Sequence, residues 1–97
     1  MTIASNKTLL GTISKVGSFG IDISPYNYIL LESEAENFFI PVFLLNYLKS
    51  YNITLRRYAS STYQMEASCT LTDKVLQVHS MSVTGFSSMN IRIYGIS

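Results

Sequence analysis

The sequence is short of the residues that most often carry chemistry. Among its 97 residues there is no tryptophan, and cysteine and histidine occur once each, as Cys69 and His79. A lone cysteine excludes an internal disulfide and agrees with a reducing compartment. One histidine with one cysteine cannot complete a zinc site of the usual kinds. No nucleophile or oxyanion motif accompanies His79, so catalysis, a metal and a cofactor are not expected. His79 reads as a surface or edge residue of a hairpin, across from Ser68 and near Glu66. The longest apolar run, FFIPVFLL at 38–45, is far too short to span a bilayer. The opening residues 1–7 lack the apolar core of a secretory signal, so a soluble, intracellular (cytoplasmic) protein without membrane contact is expected.

Charge is scarce as well. Charged residues make up 13% of the chain and the net charge is +1, which argues against a strongly basic nucleic-acid binder. So few charges on a small domain also imply that a partner covers part of the surface. The charges are unevenly placed. Asp22, Glu32, Glu34 and Glu36 fall between 22 and 36, where the three glutamates read as a loop kept in water. The stretch NYLKSYNITLRRYASSTY, 46–63, holds Lys49, Arg56 and Arg57 among four tyrosines and has no acid.

What is abundant is apolar and aromatic: 47% of the chain is hydrophobic, with seven tyrosines and five phenylalanines. That is enough to offset ordering entropy in one domain over 1–97, and the length does not allow two cores. The periodicity is mainly that of strands. KTLLGTISKV, 7–16, reads as a strand with a bulge or bend at Gly11. VGSFG, 16–20, reads as a turn: Gly17 and Gly20 have the spacing of the KH-domain clamp, but their flanks look extended rather than helical. YNYILLES, 26–33, is a second strand. NFFIPVFL, 37–44, is a third, with Pro41 confined to an edge or bulge.

Leu44, Leu45, Tyr47 and Leu48 recur at three-to-four spacing, which predicts a short helix starting near Leu44 with Tyr47 packed inward. ITLRRYA, 53–59, is the next strand, and its alternation separates Arg56 from Arg57. Over 64–72 the alternation sets Met65, Ala67, Cys69 and Leu71 on one face. Thr72-Asp73-Lys74 then turns the chain so that Leu76 and Val78 come back beside Leu71 and Cys69. A last strand, 89–96, points Ile91 and Ile93 one way, and is expected to extend a sheet or make a subunit contact.

The order of strands with one short helix after the third resembles the OB-fold. NFFIPVFLLNYLKSY is similar to the strand-into-helix segment of bacterial single-stranded DNA-binding proteins and the related primosomal proteins, and EASCTLTDKVLQVHSMSV is similar to their closing strands. The resemblance covers about 7–83 and lies in pattern and order. It implies a mainly β fold, a small OB-like antiparallel barrel with 89–97 as an additional C-terminal strand, and a ligand face that includes Lys15, Tyr26 and Tyr28. Tyrosine would have to stack bases where such proteins use tryptophan.

Single strands are bound by cations that track phosphates and by aromatic faces that stack bases. Lys15, Lys49, Arg56 and Arg57 are the candidate phosphate contacts, and Tyr26, Tyr28 and Tyr58 the candidate stacking groups. The expected function is therefore single-stranded nucleic-acid binding without strong sequence preference, as an accessory to DNA replication or recombination. Its expected partners are single-stranded DNA or RNA, a replication enzyme such as a primase, polymerase or helicase, and a second copy of the chain. The alternative is a protein-interaction subunit of a larger enzyme complex that uses its Tyr-, Phe- and Met-rich surface and never touches nucleic acid.

Overall fold

Strict alternation builds the most regular strand. In Tyr63–Thr72 the side chains of Met65, Ala67, Cys69 and Leu71 are buried and the intervening ones reach the surface, because successive residues of an extended chain point to opposite faces. The computed structural model describes residues 6–97. Residues 1–5, on which the reading for a secretory signal mostly rests, lie outside the described residues. The elements run β1 (Lys7–Ile13), β2 (Gly17–Gly20), β3 (Tyr28–Ser33), β4 (Phe38–Pro41), α1 (Val42–Leu48), β5 (Ser50–Ser60), β6 (Tyr63–Thr72), β7 (Val75–Thr84) and β8 (Ile91–Ile96). They form two antiparallel sheets, sheet A in the order β1-β8-β3-β4 and sheet B in the order β2-β7-β6-β5.

The fold is mainly β with one short helix. The inner faces of both sheets supply one buried cluster: Ile13, Ile29, Leu31, Ile40, Ile91 and Ile93 from sheet A, and Ile53, Leu55, Met65, Ala67, Cys69, Leu71, Leu76 and Val78 from sheet B. Among the described residues no polar or charged side chain is buried. Cys69 is 1% exposed, and burial pushes its thiol up to about 11, which keeps it protonated and inert at neutral pH. Leu76 pairs with Leu71 and Val78 with Cys69, the hairpin register that the alternation predicts. No helix among the described residues is long and apolar enough to cross a membrane.

Several elements depart from expectation. Gly17–Gly20 is not a turn but the strand β2, on which Phe19 pairs with Leu76 and packs against the core. The chain bends at 14–16 and passes from the edge of sheet A to the edge of sheet B. The helix accordingly follows the fourth strand, and it starts at Val42. Pro41 fixes the boundary: with φ −66 and no N–H to give to a ladder, it ends β4 and stands as the helix N-cap.

The two sheets are not closed into a barrel. No ladder joins β4 to β5, because Pro41 diverts the chain into α1 where a barrel would need strand pairing. That side is bridged instead by the Phe38–Tyr51 ring contact, centroids 5.3 Å apart, and by the Glu36 carboxylate, which accepts the backbone N–H of Arg56 at 2.8 Å. The last strand is no appendage. β8 lies inside sheet A, paired along its length with β1 and β3.

Candidate interaction surface

The outward faces of the two sheets differ sharply in chemistry. On sheet B the cross-strand rows are Asn52–Thr70–Gln77, Thr54–Ser68–Ser80, Arg56–Glu66–Ser82 and Tyr58–Gln64–Thr84. Nearly every side chain there is polar. On sheet A the corresponding rows are Thr12–Arg92–Glu32, Leu9–Tyr94–Leu30–Phe39 and Lys7–Ile96–Tyr28–Pro41. One end of this face is ionic, with Arg92 paired to Glu32, and beyond that row it is mainly apolar and aromatic, with Phe39 52% and Leu9 53% exposed. The rings of Tyr28 and Phe39 stack across β3 and β4 with centroids 4.9 Å apart.

The helix extends this surface. Val42 and Leu45, three apart, face the core, which turns Phe43 and Tyr47, four apart, outward on the opposite side. They are 75% and 81% exposed, so the expectation of Tyr47 packed inward is overturned. Starting the helix two residues earlier rotates which positions are buried. Tyr26, Asn27, Tyr28, Val42, Phe43 and Asn46 together line a cleft of about 370 Å³ between the start of β3 and the helix.

The three glutamates do more than keep a loop in water. Arg92 on β8 binds Glu32 and Glu34, each at 3.1 Å. Lys7 reaches Glu32 at 3.4 Å with its ammonium 4.1 Å from the centre of the Tyr94 ring, and Glu34 also accepts the backbone N–H of Asn90 at 2.5 Å. Solvent screens each of these exposed pairs, so their effect is chiefly to fix the loop at 34–37 against β8 and the edge of β5. The hydrogen bond from Arg92, helped by Lys7, holds the Glu32 carboxyl below its ordinary range, against a smaller opposing effect of desolvation. A lowered carboxyl pKa contributes stability that is present above the ordinary glutamate range and lost as pH falls through the folded value. Urea midpoints measured between pH 7 and about pH 3 should therefore fall more steeply for the parent than for Glu32→Gln; parallel curves would contradict this.

The seven residues expected to bind nucleic acid fall into separate places. Lys15 lies between β1 and β2, Tyr26 and Tyr28 precede and open β3, Lys49 caps the C-terminus of α1, and Arg56, Arg57 and Tyr58 occupy the far half of β5. Lys49 adopts φ 72 and ψ −35 and donates its backbone N–H to the Leu45 carbonyl, which closes the last turn of the helix. At about 3.3 Å per strand residue, Arg56 stands roughly 23 Å along the chain from Lys49.

The alternation does split the arginines. Arg56 turns outward to Glu66 at 2.6 Å. Arg57 turns the other way, to the carbonyl of Glu34 at 3.4 Å and over the Phe86 ring at 5.4 Å. The ring of Tyr26 lies against Gly95, where an added Cβ would come within 2.5 Å of it.

Tyr58, 66% exposed, shares the outer face of sheet B with Arg56; at the same end of the sheet is an aromatic pair that the sequence does not announce, Tyr63 meeting Phe86 edge-on at 5.9 Å. His79 is not opposite Ser68. Ser68 pairs with Ser80 and Cys69 with Val78, which leaves His79 as the extra residue of a bulge. Its Nε2 is 2.7 Å from Thr70 Oγ1, and that hydroxyl gives its proton to Asn52 at 2.9 Å.

Of the exposed aromatic residues, Phe39, Phe43 and Tyr47 are the ones that sequence reasoning misses as surface groups. The spacing of Phe43 and Tyr47 was the available signal. Comparison of the chain with protein-family models, with curated proteins and with solved structures finds no match.

Proposed function

We propose that this protein is a non-catalytic interaction subunit that docks another protein chain on the outer face of sheet A and the outward side of α1. The observation that carries this reading is the contrast between the two outer faces: hydroxyl- and amide-rich on sheet B, and on sheet A, beyond the Arg92–Glu32 row, mainly apolar and aromatic from Leu9 and Tyr94 to Phe39 and Tyr28. Taking roughly 200 Å² per aromatic side chain, Tyr28, Phe39, Phe43 and Tyr47 expose about 500 Å². That is as large as the largest apolar patch on an ordinary monomer, and it approaches the ~800 Å² that one partner gives to a standard interface. Leu9, Leu30, Tyr94 and Ile96 border it. Aromatic residues at the centre of such a patch are the usual carriers of binding energy.

The rival proposal is single-stranded nucleic-acid binding by an OB-like open barrel. It is favoured by one place, the end of sheet B, where exposed Tyr63 and Arg57 both lie against Phe86. Against it, Arg56 is already engaged by Glu66 and Arg92 by two glutamates, which leaves few cations for phosphates. Salt separates the two proposals, because phosphate binding releases counterions and apolar docking does not. Titration of labelled oligo-dT at low and high salt should show no saturable, salt-dependent binding. Binding whose salt slope falls by up to about two units in the Arg56→Ala, Arg57→Ala double variant would reverse the order of the proposals.

A further inference from the structure

The outer face of sheet A is matched to itself. In the order β1-β8-β3-β4 the middle of the sheet runs between β8 and β3, so a two-fold axis along that line, parallel to the strands, lays a second copy face to face with β8 over β3 and β1 over β4. Position along the strands is kept by this rotation, and each cross-strand row meets its own reverse.

The registers say which side chains then come together. Reversal of the rows sets Arg92 of one copy against Glu32 of the other, Tyr94 against Leu30, Leu9 against Phe39 and Ile96 against Tyr28. Each of these pairings joins unlike groups: cation with anion, ring with aliphatic chain. Lys7 falls opposite Pro41 at the rim, its ammonium already held by Glu32 and the Tyr94 ring. A two-fold contact requires such self-complementarity, because residue i must suit j and j must suit i at once. Sheets packed face to face stay within about 30° of alignment, and the pairings on β8 and β3, beside the axis, are the ones least displaced by that angle.

Charge and area agree with this occupant. Lys7 and Arg92 are balanced by Glu32 and Glu34 on the same side of the molecule, so two copies approach without net repulsion. The exposed aromatic side chains, with Leu9, the half-buried Leu30, Tyr94 and Ile96 and the Arg92–Glu32 row, bring the face to roughly the 800 Å² that each partner gives to a standard interface. Pairing through the edges of sheet A is blocked in comparison. β4 ends in Pro41, and β1 begins with Lys7 and is irregular between Leu9 and Gly11, all features that oppose strand addition.

We propose that the chain forms a two-fold dimer through the outer face of sheet A, with β8 of each copy packed over β3 of the other. This names the partner in the docking reading and rests on it.

The test is sedimentation equilibrium of the whole chain at micromolar concentration, for the parent and for two charge-reversal variants. The parent should have twice the mass of one chain. Arg92→Glu sets a carboxylate against Glu32 of the second copy, and Glu32→Arg sets a guanidinium against Arg92, so each variant alone should self-associate about a hundredfold more weakly. Mixed in equal amounts the two should re-form a dimer, since opposite charges then meet at both places. Each substitution also breaks an ion pair within its own chain, which could weaken the fold; recovery on mixing has no such explanation. Ser80→Asp, on the polar face of sheet B, should leave the dimer intact. A benzophenone side chain in place of Leu9 in the purified chain should attach to the 38–41 segment of a second copy, as read by mass spectrometry.

A parent that is monomeric even at millimolar concentration, a dimer indifferent to both reversals, folded variants that stay apart when mixed, or a cross-link from position 9 to a segment other than 38–41 would overturn the proposal. Adducts from position 9 with a different protein in cells, made by a chain that is monomeric when purified, would remove the dimer and leave the docking reading standing. A monomer that gives no adducts would remove both.

Discussion

A chain that stops before Ile91 is expected not to fold. β8 lies between β1 and β3, pairing six residues with each, so its removal splits sheet A and strands β1 without a partner. The same strand places Ile91 and Ile93, 0% and 1% exposed, in the core, and carries Arg92, which gathers Glu32 and Glu34. No turn-local pairing can replace these contacts, because β1 and β3 meet only through β8. In the intact chain the milder change Ile93→Ala should cost about 2–5 kcal/mol, read from urea unfolding. Circular dichroism of the truncated chain should show no cooperative transition; a folded, cooperatively unfolding truncated chain would mean that β8 is the appendage its sequence suggests.

Gly85→Ala should be the most damaging of the conservative substitutions. Gly85 adopts φ +81, a conformation that side chains rarely accept, and an added Cβ would collide with the backbone oxygen of Thr62 and lie 2.7 Å from the Tyr63 ring. Backbone strain and overpacking each cost about 1–3 kcal/mol, so a loss of roughly 2–4 kcal/mol is expected, together with displacement of Tyr63 from Phe86. Gly20→Ala is the control. It has no positive φ and nothing within 4 Å of the added carbon, and its urea midpoint should stay within about 0.5 kcal/mol of the parent. Equal midpoints for the two variants would contradict the role assigned to Gly85.

The parts of this fold that were legible in the sequence are the local ones. Met65, Ala67, Cys69 and Leu71 alternate so cleanly that the strand, its buried face and the return of Leu76 and Val78 follow from period two alone. Gly11 marked a real irregularity, since the β1–β8 register shifts between Leu9 and Gly11. GSFG misled because two glycines favour a turn in isolation, while Phe19 gains more by packing on the core.

The helix shows how a small error propagates. Its existence is written in the three-to-four spacing, but its start depends on Pro41, and a shift of two residues exchanges buried Val42 for buried Tyr47. The position of β8 and the glutamate network were illegible for another reason. Arg92 and Glu32 are 60 residues apart, and nothing local joins them. The candidate surface followed from pairing rather than from motif: Leu9, Tyr94, Leu30 and Phe39 form one row only because four strands bring them into register.

The docking surface is tested most directly by site-specific photo-cross-linking in the cells that make the protein. A benzophenone side chain in place of Leu9, on the apolar face of sheet A, is compared with one in place of Ser80, on the polar face of sheet B. The account predicts a discrete protein adduct from position 9 that disappears when Phe39→Asp is added, and no adduct from position 80. Equal labelling from the two positions, an adduct from position 9 indifferent to Phe39→Asp, or adducts with nucleic acid in place of protein would contradict it.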